Sequence, residues 1–212
     1  MDPDQRRALI VDACLAVMLR KGIAATTVRD VAAEMGSSPG LVHHYFASMD
    51  ELLAAAFDQA AGQDLAETRA ALAGESEAVA SLRLFFGTYT RAEQDWAFQL
   101  WLDAWAAAAR SPVLQETSQR LNVAWQQLLA GVIDAGVADG SLVCVDPSGS
   151  AWRILSLMDG LALQTVAHRV EVDRDAVVAW STAYAERELG LSEGTLASQS
   201  SPSTGRTSGT KP

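Results

Sequence analysis

Apolar residues recur along this chain at the three- and four-residue spacing of helix faces, and no stretch alternates apolar and polar for long enough to demand a strand. In the first segment Ile10, Ala13, Cys14, Val17 and Met18 fall on one face. Val28, Val31, Ala32 and Met35 repeat the pattern in a shorter segment. Gly22, Gly36, Gly74, Gly140 and Gly190 sit where helices should end, and Pro39, Pro112 and Pro147 where they should begin. The pattern predicts an all-α chain of about nine helices, over 4–21, 27–35, 38–45, 48–73, 76–90, 93–110, 112–138, 147–168 and 173–189. Residues 191–212 break it. They are rich in Ser, Thr, Gly and Pro, bury too little to offset their ordering entropy, and are expected to be a disordered tail. The expected organisation is an N-terminal unit over 1–48, a second helical unit over 49–190 and the tail. No apolar run reaches the roughly 18–20 residues of a membrane span. No basic-then-apolar leader is present, so the expected location is cytoplasmic.

The N-terminal unit carries local signals of a particular turn. Thr26 or Thr27 can cap the second helix, with Asp30 completing an acidic capping box on Thr27. Gly36 permits a sharp turn with positive φ. Ser38 can cap the third helix with Pro39 at its first position, and Ser48 with Glu51 can open the fourth. Two short helices joined by a tight glycine turn form a helix-turn-helix pattern. The third helix spends only Leu41, Val42 and Phe46 on a core and exposes Gly40, His43, His44 and Tyr45. Small residues at its start and polar aromatics outside suit entry into the major groove of double-stranded DNA. A plain helical hairpin with solvated histidines would show the same spacing.

The segment resembles the DNA-binding domain of the TetR (tetracycline repressor) family. The resemblance rests on the Gly22 turn, TTVRDVAAEMG at 26–36, SPGLVHHYF at 38–46 and SMDELL at 48–53, all in register. It implies a three-helix DNA-binding domain, a linking fourth helix, and a helical domain for effector binding and dimerisation. The function implied is a transcriptional regulator, most often a repressor, that binds palindromic operator DNA as a homodimer and is released by a small-molecule effector. By the same resemblance Thr27, Arg29, Ser38, Gly40, Leu41, His43, His44 and Tyr45 match positions that face DNA. There are three departures. Pro39 stands where the family often has Lys, His43 where it often has Tyr, and Met49 where a phosphate-contacting Lys usually opens the fourth helix. Fewer lysines mean less phosphate neutralisation and a flatter salt dependence.

Charge sharpens that point. The net charge is −10. Residues 1–53 hold five Lys/Arg against seven Asp/Glu, 54–190 hold nine against eighteen, and 191–212 hold two against one. The acid therefore lies mostly outside the N-terminal unit, where Arg6, Arg7, Arg20, Lys21 and Arg29 must supply the positive field. A helical binding protein that never touches DNA would fit the acidity better and the helix-turn-helix register worse.

Residues 93–168 are similar to the subgroup typified by the betaine-pathway repressor. The similarity lies in a tryptophan-rich sixth helix, AGVADGSL at 135–142 and MDGLALQ at 158–164. At 100° per residue Phe98, Trp101, Leu102, Trp105 and Ala109 share one face of that helix, and Leu121, Trp125, Leu128 and Val132 share a face of the seventh. These aromatics read either as ordinary core or as the wall of an effector pocket. The candidates for the effector are Phe98, Trp101, Trp105, Trp125 and Asp159. An aromatic wall and a net −9 domain favour a cation, while an apolar or aromatic effector stays open. Asp103 lies about 200° around its helix from Trp101 and cannot join that wall. Asp159 interrupts an apolar run and needs a partner, either a structural hydrogen bond or a cationic effector.

The eighth helix is apolar on nearly every side, which calls for cover from a second copy. The expected dimer interface is Leu157, Gly160 and Leu161, with Val177, Trp180 and Tyr184 on the ninth helix. His168 suits a favourable charge at a helix C-terminus or a plain surface position. No catalytic motif, cofactor loop or metal-ligand cluster is present, and the chain is not expected to be an enzyme. Cys14 and Cys144 read as buried or incidental thiols.

Overall fold

The computed structural model describes residues 2–88, 95–167 and 172–197. Within them the fold is all-α, with nine α-helices and no strand. The N-terminal head holds α1 (Pro3–Lys21), α2 (Val28–Glu34) and α3 (Pro39–Tyr45). The body holds α4 (Met49–Leu72), α5 (Ala78–Thr88), α6 (Asp95–Ala108), α7 (Pro112–Asp139), α8 (Pro147–Ala167) and α9 (Arg174–Glu188). The expected spans agree to within two residues where they are described, apart from the 3-10 turn Ile23–Ala25, which the helical pattern missed. The expected ends of the fifth and sixth helices at 89–94, and His168, lie outside the described residues.

α7 is the axis of the body, with α4, α5, α6 and α8 packed around it. Phe57, Phe85, Leu129, Ile133 and Ile154 are wholly buried there. Burying each such side chain contributes roughly 1.5–3 kcal/mol before entropy is counted. The head is not a separate globule. One buried cluster runs from Ile10, Val31 and Phe46 through Leu52 and Phe57 on α4 into the body, across the boundary expected at residue 48. α6 also rests on the turn at residues 23–25.

The tail begins later than its composition suggests. Leu196 is buried, and the buried Glu186 carboxylate accepts from Gly194 N (3.0 Å) and Leu196 N (2.6 Å). Arg83 Nε donates to the carbonyl of Thr195 at 2.7 Å. Residues 191–197 therefore pack back onto α5 and α9, and the rest of the expected tail, from 198, lies outside the described residues. Cys14 is buried and its thiol pushed up to about 12 by desolvation; Cys144 is half-buried beside the Ser150 hydroxyl. No described helix is long and apolar enough to cross a membrane.

Candidate functional sites: a helix-turn-helix face and an aromatic cavity

The head is built by local chemistry. Thr27 caps α2: its Oγ1 accepts from Asp30 N at 3.3 Å, while Asp30 Oδ2 accepts from Thr27 N at 3.2 Å. Thr26 instead turns inward and donates to Gly22 O at 2.8 Å. Gly36 takes φ +61, which a residue with a Cβ would adopt only under strain, and this turns the chain into α3. Pro39 starts α3, but the Ser38 hydroxyl makes no capping bond, contrary to the sequence expectation, and stays exposed. Val31 and Val42 are buried between the two helices. Thr27, Arg29, Ser38, Gly40, His43 and His44 are exposed, with Leu41 and Tyr45 half-buried. Tyr45 stands edge-to-face on His44, with centroids 5.2 Å apart.

The positive field of this face is smaller than the count of basic residues. Arg20 pairs with Glu34 and Lys21 with Asp30, each at 2.5 Å. These partners hold both carboxyls below the usual range. Arg7 lies 3.7 Å from Glu51 and stacks over Phe46 at 4.4 Å. Of the five cations in the head, Arg6 and Arg29 are left without an ion pair among the described residues.

Phe98, Trp101, Trp105, Trp125 and Asp159, separate in sequence, line one cavity of about 50 Å³ between α6, α7 and α8. Trp101 and Trp105 lie 5.5 Å apart on α6, and Phe57 from α4 braces Trp101 edge-to-face at 5.0 Å. Trp125 on α7 is braced by Phe85 at 6.1 Å. The Arg174 guanidinium lies over the Phe98 ring at 5.0 Å, and burial lowers its pKa. Asp159 has neither hydrogen bond nor ion pair among the described residues, and desolvation pushes its pKa up to about 7. The structural hydrogen bond open to it on sequence grounds is therefore not made among the described residues. Asp64 on α4 lines the same cavity and is raised as well, by burial and then by Glu67.

On the outer face of α8 and α9, Trp152, Leu163 and Trp180 are exposed at 37%, 45% and 52%. Leu157, Leu161 and Tyr184 are half-buried, and a side chain at Gly160 would meet open space. Val177 does not belong with them: it is 1% exposed, packed in the protomer's own core. The buried face of α9 is Val177, Ser181, Thr182, Ala185 and Glu186, and Trp180 points away from it.

A family model for the bacterial regulatory proteins of the TetR family matches residues 10–56, and one for the C-terminal region of BetI-type transcriptional repressors matches residues 80–190. The chain belongs to the TetR family. It is 30% identical to the HTH-type transcriptional regulator BetI of Rhizobium meliloti, over 89% of this chain and 91% of that one. Among solved structures it is similar to a transcriptional regulator from Pseudomonas aeruginosa (27% identity, TM-score 0.74, 88% of this chain and 91% of that one). It shares its fold with a regulator from Saccharomonospora viridis solved in complex with choline (21% identity, TM-score 0.80, 88% and 98%). This TetR-family chain is thus a transcriptional regulator and not an enzyme.

Sequence reasoning missed four polar residues of this regulator's body. Asp64, Asn122 and Arg174 join the cavity from α4, α7 and α9. Asp103, set aside because it faces away from the tryptophans, reaches the head: its Oδ2 accepts from Ile23 N at 3.3 Å and its Oδ1 from Gln99 at 2.8 Å. A Cβ on Gly22, where φ is +81, would come within 2.9 Å of Asp103 Oδ2. α6 therefore walls the cavity with one side and grips the DNA-binding head with the other.

Proposed function

We propose that this regulator is a repressor of the cytoplasm that binds a palindromic operator as a homodimer and is released when a small cation enters the cavity between α6, α7 and α8. The observation that carries the effector half is Asp159. A half-buried carboxylate beside a tryptophan wall, with no partner among the described residues, is held near its protonation midpoint at neutral pH by desolvation. A cation supplies the missing counter-charge, and the faces of Trp101 and Trp105 suit a quaternary ammonium group. The small volume favours a compact ligand. The likeness to a regulator that binds choline points the same way.

The DNA half rests on the exposed face of α3 and the start of α2. His43, His44 and Tyr45 reach for base edges or phosphates; Thr27, Arg29, Ser38, Gly40 and Leu41 flank them. The dimer half rests on the outer face of α8 and α9, through Leu157, Gly160, Leu161, Trp180 and Tyr184. A glycine inside a helix, with no described residue within 4 Å of where its Cβ would stand, costs about 1 kcal/mol and is explained by a second helix coming close. Two α3 helices related by the twofold axis would then read half-sites about one helical turn, or a multiple, apart.

The test is fluorescence anisotropy on DNA upstream of the protein's own gene, with competitor DNA, titrated with choline, polyamines and uncharged aromatics. Specific binding released by a cation at micromolar to millimolar concentration is the expected result. Release by neutral aromatics alone would overturn the cationic effector, and absence of specific binding would overturn the operator.

A further inference from the structure

We infer that Trp125 reads a hydrogen-bond acceptor on the effector, so that the cavity selects a small cation that also carries such a group over a plain alkylammonium. This rests on the cationic reading above and deepens it. Trp125 is 7% exposed, and its indole Nε1 is fully buried with no acceptor among the described residues. A buried N–H left without a partner costs free energy, and an indole can only donate. The ring lines the cavity, and Phe85 fixes it edge-to-face from behind. One turn earlier on α7, Asn122 lines the same cavity, and its amide also makes no hydrogen bond among the described residues. Residues at i and i+3 share a helix face, so α7 offers the cavity two unspent polar groups side by side. Across from them α8 offers the unpaired Asp159. One wall lacks a counter-cation and the other lacks an acceptor, and a ligand that brings only a cation leaves the second wall unsatisfied.

Isothermal titration of the full chain distinguishes the two needs. The probes are tetramethylammonium, propyltrimethylammonium, choline and the neutral 3,3-dimethylbutan-1-ol, each titrated into wild type and Trp125→Phe. Phenylalanine keeps a ring against Phe85 and removes the donor together with part of the indole's volume, so choline is always read against the size-matched propyltrimethylammonium, which feels the same change of volume; the melting curve and native mass verify that the variant is folded. Wild type is expected to bind choline about tenfold more tightly than propyltrimethylammonium, which matches it in size without the hydroxyl. Trp125→Phe is expected to erase that preference while holding tetramethylammonium within about threefold. Equal affinity for the two in wild type, or a preference that survives in Trp125→Phe, overturns the role of Trp125 and leaves the cation reading standing. If only the neutral alcohol binds, and weakens in Trp125→Phe, the role of Trp125 stands and the cation reading falls. If no probe binds, both fall.

Discussion

Replacing Asp159 by Asn removes one charge and little volume from the wall of the cavity, and two effects of opposite sign should follow. In the empty protein the carboxyl is raised from its ordinary 3.8 to about 7 by burial. That difference, at about 1.36 kcal/mol for each pH unit, makes the ionised group cost the folded state up to about 4 kcal/mol. A raised folded pKa means the stability is present below about pH 4 and lost as pH rises through about 7. The Asn variant escapes this loss, so at about pH 8 it should be more stable than wild type without ligand, by a few kcal/mol at most, and at about pH 4 it should not differ. Cation binding runs the other way. The ligand needs the ionised form, so wild-type affinity for choline should rise about tenfold from about pH 6 to about pH 8 as the protonated fraction empties. In Asp159→Asn the affinity should fall by about 2 kcal/mol, roughly thirtyfold, and the pH dependence should flatten. The assays are thermal melts and isothermal titration at three pH values, in two buffers of different ionisation enthalpy to count the proton released. Asp64 lines the same cavity and is also raised, and Arg174 lines it over the Phe98 ring, so a slope that persists in the Asn variant would assign it to Asp64 and refute the role given to Asp159.

His44→Ala should weaken operator binding about tenfold without changing the mass of the dimer, and unchanged affinity on titration by anisotropy would move the recognition surface off α3. Arg29 is exposed and has no ion pair among the described residues, so Arg29→Ala should reduce the slope of log affinity against log salt by about one, while Lys21→Ala, already spent on Asp30, should reduce it less. Gly160→Leu should overpack the α8 seam and yield monomers or aggregates in sedimentation; a stable native dimer would place the interface elsewhere. Gly22→Ala forces a Cβ into φ +81 and against Asp103, and should lower the melting stability by about 1–3 kcal/mol, as read by denaturant titration.

The parts of the molecule legible in the sequence are those set by near neighbours along the chain. The Thr27–Asp30 box, the Gly36 turn and the Pro39 start are contacts within a few residues, and the structure has each of them. The five cavity residues were also legible, because α6 and α8 each break their pattern visibly, one with too many tryptophans and the other with a single carboxylate. What failed depended on distant partners. Asp103 takes its proton donor from a backbone N–H eighty residues earlier, and a backbone donor leaves no mark in a sequence. Arg20 and Lys21 look like free cations until the fold brings Glu34 and Asp30 beside them. On α9 burial runs against polarity: Glu186, Ser181 and Thr182 go inside and Trp180 stays out, so apolar spacing chose Val177 for the wrong face. The same buried Glu186 explains why residues 191–197 pack although their composition reads as tail.

The double duty of α6 imposes a reciprocity on the regulator. One rigid rod presents Trp101 and Trp105 to the cavity and Asp103 to the Ile23 amide. Any rotation that widens the cavity must also reposition or break a 3.3 Å bond to the head. Thermodynamic linkage then leaves no one-way signal: a ligand that weakens operator binding by some factor is itself weakened by that same factor when the operator is bound. On the proposed release mechanism, protein held on its operator is a poorer receptor than protein free in solution. The concentration of effector needed for release rises with the number and strength of the sites occupied, so a cell carrying extra copies of the operator needs more effector to clear them.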